Sequence, residues 1–333
     1  MTAIHSLPHP HSPHQPGRSG GEVMRRLLAP LAHYYSDAAT VEIRMNRPHQ
    51  VITERRGVGK QAHEDARLNR AAIERIARSL GNASGTAFDG EEHVKLSTVL
   101  PGGHRFECLV GASVQSGLSL AIRCKHPFTP TWEQWGATPF VRDYLTAAVA
   151  RDANLIVSGA TNTGKTTLLN MLLATLPDDR RVVAVEDTPE LQIGRFWDGN
   201  GLLAAREANT ATGMVGWREL YDHLMRITPD HILFGEISTQ NAFAALAALN
   251  SGVTGFMCTI HAESPEQVIH RKFTQNVAWA GAVMPDIPEY LSDLVDVVVQ
   301  IKRTTTGFRH ITDIWEVREG RYVFRDGREV AAC

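Results

Sequence analysis

Asn154-Leu155-Ile156-Val157-Ser158-Gly159-Ala160-Thr161-Asn162-Thr163-Gly164-Lys165-Thr166-Thr167 is the stretch on which the fold of this chain turns. Asn154 to Val157 is a short, mostly apolar run of strand type. It leads into G-x-x-x-x-G-K-[ST], complete from Gly159 to Thr166. A Leu-rich helix is expected from Thr167 to Leu176, ended by Pro177. Strand, loop and helix are therefore in the order the motif needs. Gly159 and Gly164 admit backbone geometry that other residues disfavour. The N–H groups of Gly159, Ala160, Thr161, Asn162, Thr163, Gly164, Lys165, Thr166 and Thr167 can then cradle phosphate oxygens, helped by the positive helix end. Lys165 is placed for the β- and γ-phosphates of ATP and the Thr166 hydroxyl for Mg²⁺.

Carboxylates supply the rest of the chemistry. Arg181 to Val185 reads as a buried strand ending at Glu186-Asp187-Thr188-Pro189-Glu190. Acids at the carboxyl end of a parallel strand face the ligand crevice. Glu186 and Asp187 are thus candidates for holding a metal-bound water or placing the attacking one. Turn chemistry is the alternative for either. Further on, Trp217, Leu220, Tyr221, Leu224 and Met225 define an amphipathic helix, broken at Pro229-Asp230. The strand His231-Ile232-Leu233-Phe234 then runs into Gly235-Glu236. Gly235 stands where a metal-binding Asp is usual, and Glu236 is the candidate for polarising water toward the γ-phosphate. His261 follows a strand ending at Thr259-Ile260, just before a helix start in which Ser264 is the N-cap and Gln267 completes a capping box. It is either a γ-phosphate sensor or a structural histidine.

Working outward, the alternation of strands and helices after Val141 implies a mostly parallel sheet. The segment before it has a different grammar. Val41, Ile43 and Met45 alternate at strand period, a helix is expected over Asp65 to Leu80 with Gly81 as its stop, and strands follow at Arg105 to Val110 and Leu118 to Arg123. The amphipathic positions Val23 to Leu31 predict a short helix disturbed at Pro30. The expected organisation is a disordered His/Pro-rich tail at 1–20, an α+β domain at 21–126, a Pro/Trp-rich linker at 127–140 and an α/β domain at 141–333.

Composition narrows the function classes. Lys plus Arg number 34 against 36 Asp plus Glu, so the chain lacks the basic excess of a dedicated nucleic-acid binder. A strand-separating motor is disfavoured on the same ground. The four cysteines, Cys108, Cys124, Cys258 and Cys333, show no C-x-x-C pairing and are expected to be inert thiols in a reducing compartment. No apolar run reaches the roughly 18 residues of a membrane span, and no signal peptide is evident. A cytoplasmic protein able to dock on a membrane complex is expected.

Taken in order, these blocks resemble the secretion traffic ATPases, most closely the VirB-eleven-type ATPases of bacterial type IV secretion and conjugation. The resemblance is carried by the loop Gly159 to Thr167, the acidic box Val185 to Leu191, the segment Arg226-Ile227-Thr228-Pro229-Asp230 through Gly235-Glu236-Ile237, and Thr259-Ile260-His261-Ala262. It extends to Glu42-Ile43-Arg44-Met45-Asn46-Arg47-Pro48, Leu100 to Arg105 and Ser119 to Arg123, covering about residues 24 to 315. It implies a RecA-like P-loop ATPase domain behind a smaller α+β domain. A homohexameric ring, energising substrate translocation or pilus assembly, is implied with it. The ring would sit at the inner face of the bacterial inner membrane beside other secretion components. Arg105 and Arg123, with Arg206, are implied as stabilisers of γ-phosphate charge. Ser238 and Val253 depart from the family pattern, which commonly has Arg and His there. No tetracysteine zinc module is present, which counts against type II secretion and type IV pilus motors. The alternatives are a nucleotide-dependent scaffold or switch of a secretion complex with little turnover, or a type II secretion or type IV pilus-type motor.

Overall fold

The structure is a computed structural model, and it describes residues 18–126, 130–205, 214–304 and 307–331. The sequence-predicted tail, all but its last few residues, and Arg206 and Cys333 lie outside the described residues. The chain divides into two compact units, Met1–Pro127 and Phe128–Cys333.

In the first unit helix α1 (Arg18–Tyr35) precedes strands β1 (Thr40–Met45), β2 (Gln50–Arg55) and β3 (Gly59–Glu64). Helix α2 (Arg70–Ser84) follows, then β4 (Lys95–Val99), β5 (Arg105–Val110) and β6 (Leu118–Arg123). The strands form a six-stranded antiparallel sheet in the order β3-β2-β1-β6-β5-β4. Burial alternates along β5 and β6, the pattern of a sheet with one covered face. Leu28 and Leu31 of α1 and Ile73, Ile76 and Leu80 of α2 pack there against Ile43, Phe106 and Ile122.

Helix α2 differs from its expected span at both ends. It starts at Arg70 because Asn69 is the N-cap, its side chain accepting from the Ala72 N–H at 2.9 Å. Asp65 is engaged instead with the Arg67 guanidinium and the Tyr34 hydroxyl, and its hydrogen bonds from Arg67 hold its carboxyl down at about 2. The helix passes through Gly81 and closes at Gly85, whose φ is +70°. Gly81 is an internal packing residue: a Cβ there would lie 2.6 Å from the Thr86 carbonyl oxygen. Pro30 lies inside α1, which continues to Tyr35.

The second unit holds α3 (Pro139–Ala150), β7 (Leu155–Gly159), α4 (Lys165–Leu173), β8 (Val182–Glu186), β9 (Asn200–Leu203) and α5 (Trp217–Leu224). It continues with β10 (His231–Ile237), α6 (Ala242–Leu249), β11 (Met257–Ile260), α7 (Pro265–Gln267), α8 (Phe273–Trp279) and α9 (Ile287–Leu294). Strands β12 (Val297–Arg303), β13 (Arg309–Glu316), β14 (Arg321–Arg325) and β15 (Arg328–Glu329) complete it. Its nine-stranded sheet runs β15-β14-β13-β12-β7-β11-β10-β8-β9. From β12 to β9 every pairing is parallel, and β13 to β15 are antiparallel. Strands β7, β8 and β11 are buried along their whole length, as a parallel sheet covered on both faces requires. One face packs on α5, α6 and α8 through Leu224, Leu246 and Phe273. The other packs on α3 and α4 through Leu145, Leu168 and Leu172. Trp135, from the short turn Glu133–Trp135, belongs to that second core.

Candidate functional site

The carboxyl ends of β7, β11, β10 and β8 are consecutive along the sheet, so the residues that follow them share one edge. At β7 the chain enters the loop with no space to spare. A Cβ on Gly159 would sit 2.6 Å from the Ile301 carbonyl oxygen of β12 and 2.8 Å from Thr163 Oγ1. Thr163 closes the loop on itself by donating to the Ala160 carbonyl at 2.8 Å. Asn162 takes a left-handed φ of +60°. Gly164 has φ +92°, and a Cβ there would also meet Trp135 at 2.9 Å. Helix α4 begins immediately after, at Lys165 rather than at the expected Thr167. Lys165, Thr166 and Thr167 therefore form its first turn, the end at which helical N–H groups lack intrahelical partners.

Lys165 is 6% exposed. Its ammonium donates to the Ala160 carbonyl at 3.3 Å and lies 2.8 Å from His261 Nδ1. An ammonium only donates, so Nδ1 accepts in this contact, and the same nitrogen also lies 3.3 Å from the Gly159 carbonyl. Nε2 lies 2.7 Å from Glu236 Oε1, and both side chains are about two-fifths exposed. Lysine, imidazole and carboxylate thus form a continuous hydrogen-bonded chain across the ends of β7, β11 and β10. His261, left open between two roles by the sequence, is brought into the site.

Glu236 is held from behind. Asn241, 1% exposed, donates to the Glu236 carbonyl at 2.8 Å and accepts from the Ser238 N–H at 2.8 Å. Thr259 on β11 donates to the Gly235 carbonyl at 2.7 Å. The sequence pattern marks Thr259 only as part of the block before His261 and does not single out Asn241. An Asn just ahead of a helix, five residues past the acid, was the available signal for Asn241.

Glu186 has a different setting. It is 5% exposed, and Oε1 accepts from the Glu190 N–H at 2.9 Å and the Leu191 N–H at 3.1 Å. These contacts tie Glu186 to the turn that follows it. The turn carrying Asp187 is pinned further by Asn170 of α4, which donates to the Glu190 carbonyl and accepts from the Gln192 N–H. The Glu186 side chain also explains Gly235: a Cβ there would come within 2.9 Å of Glu186 Cγ. Cys258 on β11 is fully buried, and burial pushes its thiol pKa far up, which removes it from the chemistry.

Arg105 and Arg123 belong to the first unit, where they are directly opposite each other on β5 and β6. Arg123 also faces Glu42 across β1. Ser238 lies at the turn after β10 and Val253 ahead of β11.

The oxygen donors of the loop and of the strand-end acids fit a hard divalent cation. Among the described residues no group of three or more His, Cys, Asp or Glu is arranged to hold a metal ion by itself.

A mostly parallel sheet with a glycine-bounded phosphate loop after a central strand defines a RecA-like P-loop α/β domain, here behind an α+β domain. A family model described as "Type II/IV secretion system protein" matches residues 113–300, more than half of the 333 residues, and the chain belongs to that family. It is 28% identical over 338 aligned positions to the type IV secretion system protein VirB11 of Bartonella henselae, covering 86% of this chain and 91% of that one. It is 31% identical to the conjugal transfer protein TrbB of Rhizobium radiobacter, covering 82% of each. Among solved structures the ATPase DotB of Legionella pneumophila superposes with a TM-score of 0.57 over 92% of this chain and 83% of that one. At 14% identity that likeness concerns the fold.

Proposed function

We propose that this protein is an ATP hydrolase that works as a homohexameric ring, associates peripherally with the inner face of the bacterial inner membrane, and energises type IV secretion or conjugative transfer. The observation that carries the reading is the Lys165–His261–Glu236 chain beside the loop at 159–164. Its members suit an in-line phosphoryl transfer to water: a cation for the phosphates, a base for the water and, between them, an imidazole in contact with both. The names of the relatives, VirB11 and TrbB, support the secretion and conjugation setting.

ATP would lie with its phosphates against the N–H groups of 159–167, drawing the Lys165 ammonium off His261. Loss of that contact frees the imidazole to turn its donor toward the γ-phosphate and leaves Glu236 to take a proton from water. Mg²⁺ would be held by the Thr166 hydroxyl, with Asp187 facing it through water, and would neutralise phosphate charge. Glu186 acts by holding the turn on which Asp187 sits. Arg105 and Arg123, with Arg206, are assigned to γ-phosphate charge when the ring closes.

Steady-state phosphate release tests the hydrolase. Lys165→Ala is expected to abolish both nucleotide binding and turnover. Native mass measurement with and without Mg-ATP tests the ring: a strict monomer under both conditions refutes it.

A further inference from the structure

The edge of the phosphate loop opposite His261 and Glu236 carries a second set of side chains with no role in the chemistry above. Strand β7 has β11 on one side and β12 on the other. Terminal-phosphate chemistry lies on the β11 side, where His261 and Glu236 meet. A triphosphate threaded through the loop with its last phosphate toward Glu236 must direct its nucleoside the other way, toward β12 and β13. Ile301 of β12 is in register with Gly159, and Arg303 pairs with Arg309, so the end of β12 and the start of β13 extend past the loop at that edge.

Phe308 immediately precedes β13 and is 47% exposed. Its backbone is fixed on both sides, with the Thr304 N–H donating to the Phe308 carbonyl at 2.8 Å and the Phe308 N–H donating to Thr304 Oγ1 at 3.1 Å. One ring face stacks on His310, with centroids 5.7 Å apart and planes 11° from parallel. Its edge seats against Gly136, where a Cβ would come within 3.4 Å of Phe308 Cζ. An aromatic so held has little rotamer freedom left to lose, and nearly half of the residue's surface stays exposed. Arg309 connects this face to the loop. Its Nη2 donates to Asn162 Oδ1 at 3.4 Å, and its Cδ lies 3.2 Å from where a Gly164 Cβ would be.

We propose that Phe308, backed by His310 and linked to the phosphate loop by Arg309, is the stacking platform for the base of the bound nucleotide. The proposal rests on the ATP-binding reading of the loop and adds to it the nucleoside half of the site. A stacking face accepts any purine, because every base presents a π-surface. Purine nucleoside triphosphates as a class are therefore the expected ligands, with weak discrimination among them.

Calorimetry on the full chain with Mg²⁺, comparing ATP with inorganic tripolyphosphate, separates the two halves. Wild type is expected to bind ATP more tightly than tripolyphosphate. Phe308→Ala is expected to weaken ATP by roughly tenfold while leaving tripolyphosphate unchanged, and Phe308→Trp to restore ATP affinity. Unaltered ATP affinity in Phe308→Ala, or equal losses for both ligands, overturns the platform. Wild-type protein that binds tripolyphosphate as tightly as ATP leaves the phosphate cradle standing and overturns the platform alone. Binding of neither ligand by folded wild type overturns the cradle, and the platform with it.

Discussion

Glu186 and Glu236 lie toward the carboxyl ends of adjacent parallel strands, β8 and β10, yet the first is 5% exposed and the side chain of the second 42%. Glu186 accepts backbone N–H groups from residues 190 and 191, so its charge is committed to the shape of a turn. Glu236 meets His261 through Oε1, and its side chain keeps an exposed surface. Two strand-end carboxylates thus have different settings, one turned onto backbone N–H groups and one exposed beside an imidazole. The division is made by what the next few residues do: after Glu186 the chain turns back over the carboxylate, whereas after Glu236 the Asn241 side chain seizes the backbone and leaves the carboxylate outward.

The strongest way to break this contrast is to neutralise each acid in turn. Glu236→Gln should lower kcat for ATP by roughly 10²–10⁴, the range for loss of a general base, with ATP still bound. Glu186→Gln should leave turnover close to wild type. It should lower Tm by roughly 5 °C, because charge-assisted bonds to two buried N–H groups are weakened. Parallel thermal melts and phosphate-release assays on the two variants decide the matter. Turnover lost in Glu186→Gln at unchanged Tm would reverse the assignment.

A smaller effect sharpens the same comparison from the other side. Gly235→Asp restores the acid that a P-loop site usually has before Glu236, and here it should fail. The new Cβ would lie 2.9 Å from both Cγ and Oε1 of Glu186. Steric crowding and two like charges in one buried space should destabilise the fold by about 3 kcal/mol. Combining it with Glu186→Ala should recover part of the loss, since the two changes share one volume. Denaturant midpoints for the two single variants and the double variant measure the coupling, and strict additivity would show that Glu186 is not what keeps residue 235 small.

Much of this was open to reading in the sequence, for physical reasons that differ by residue. The loop at 159–166 is legible because its demands are local: glycines where other residues are strained or crowded, then a helix start. The fully buried strands β7, β8 and β11 appear as short, mostly apolar runs, so parallel pairing is expected from their alternation with helices. Helix α2 was placed early because apolar periodicity does not mark a cap. Asp65 and Asn69 are both capping-type residues, and only the Arg67 and Tyr34 contacts show that Asp65 is occupied elsewhere. Asn241 and Phe308 escaped notice because their roles depend on contacts that no spacing encodes. The Lys165–His261 contact joins residues 96 positions apart, and sheet order alone brings them together.

The smallest expected effect lies at the opposite end of β10 from Glu236, where His231 is fully buried. Its Nδ1 lies 3.2 Å from the Gly255 carbonyl, making that nitrogen the donor, and Nε2 is 3.4 Å from Asp152 Oδ1. Burial lowers its pKa and outweighs the opposing pull of the Gly255 hydrogen bond, Asp152 and Asp230, with Arg180 adding to the lowering. The unfolded chain therefore takes up a proton near the ordinary histidine value of about 6.5 before the folded one does. Stability from the neutral imidazole is complete above that pH and declines as pH falls toward the folded value. His231→Asn can keep a donor to Gly255 without titrating. Between about pH 7.5 and about pH 5, wild-type Tm should fall by a few degrees more than that of His231→Asn. A Tm gap between the two proteins that does not change with pH would mean that the imidazole shares its protons equally between the folded and unfolded chain. In that case β10 would be insensitive to acid at the end remote from Glu236.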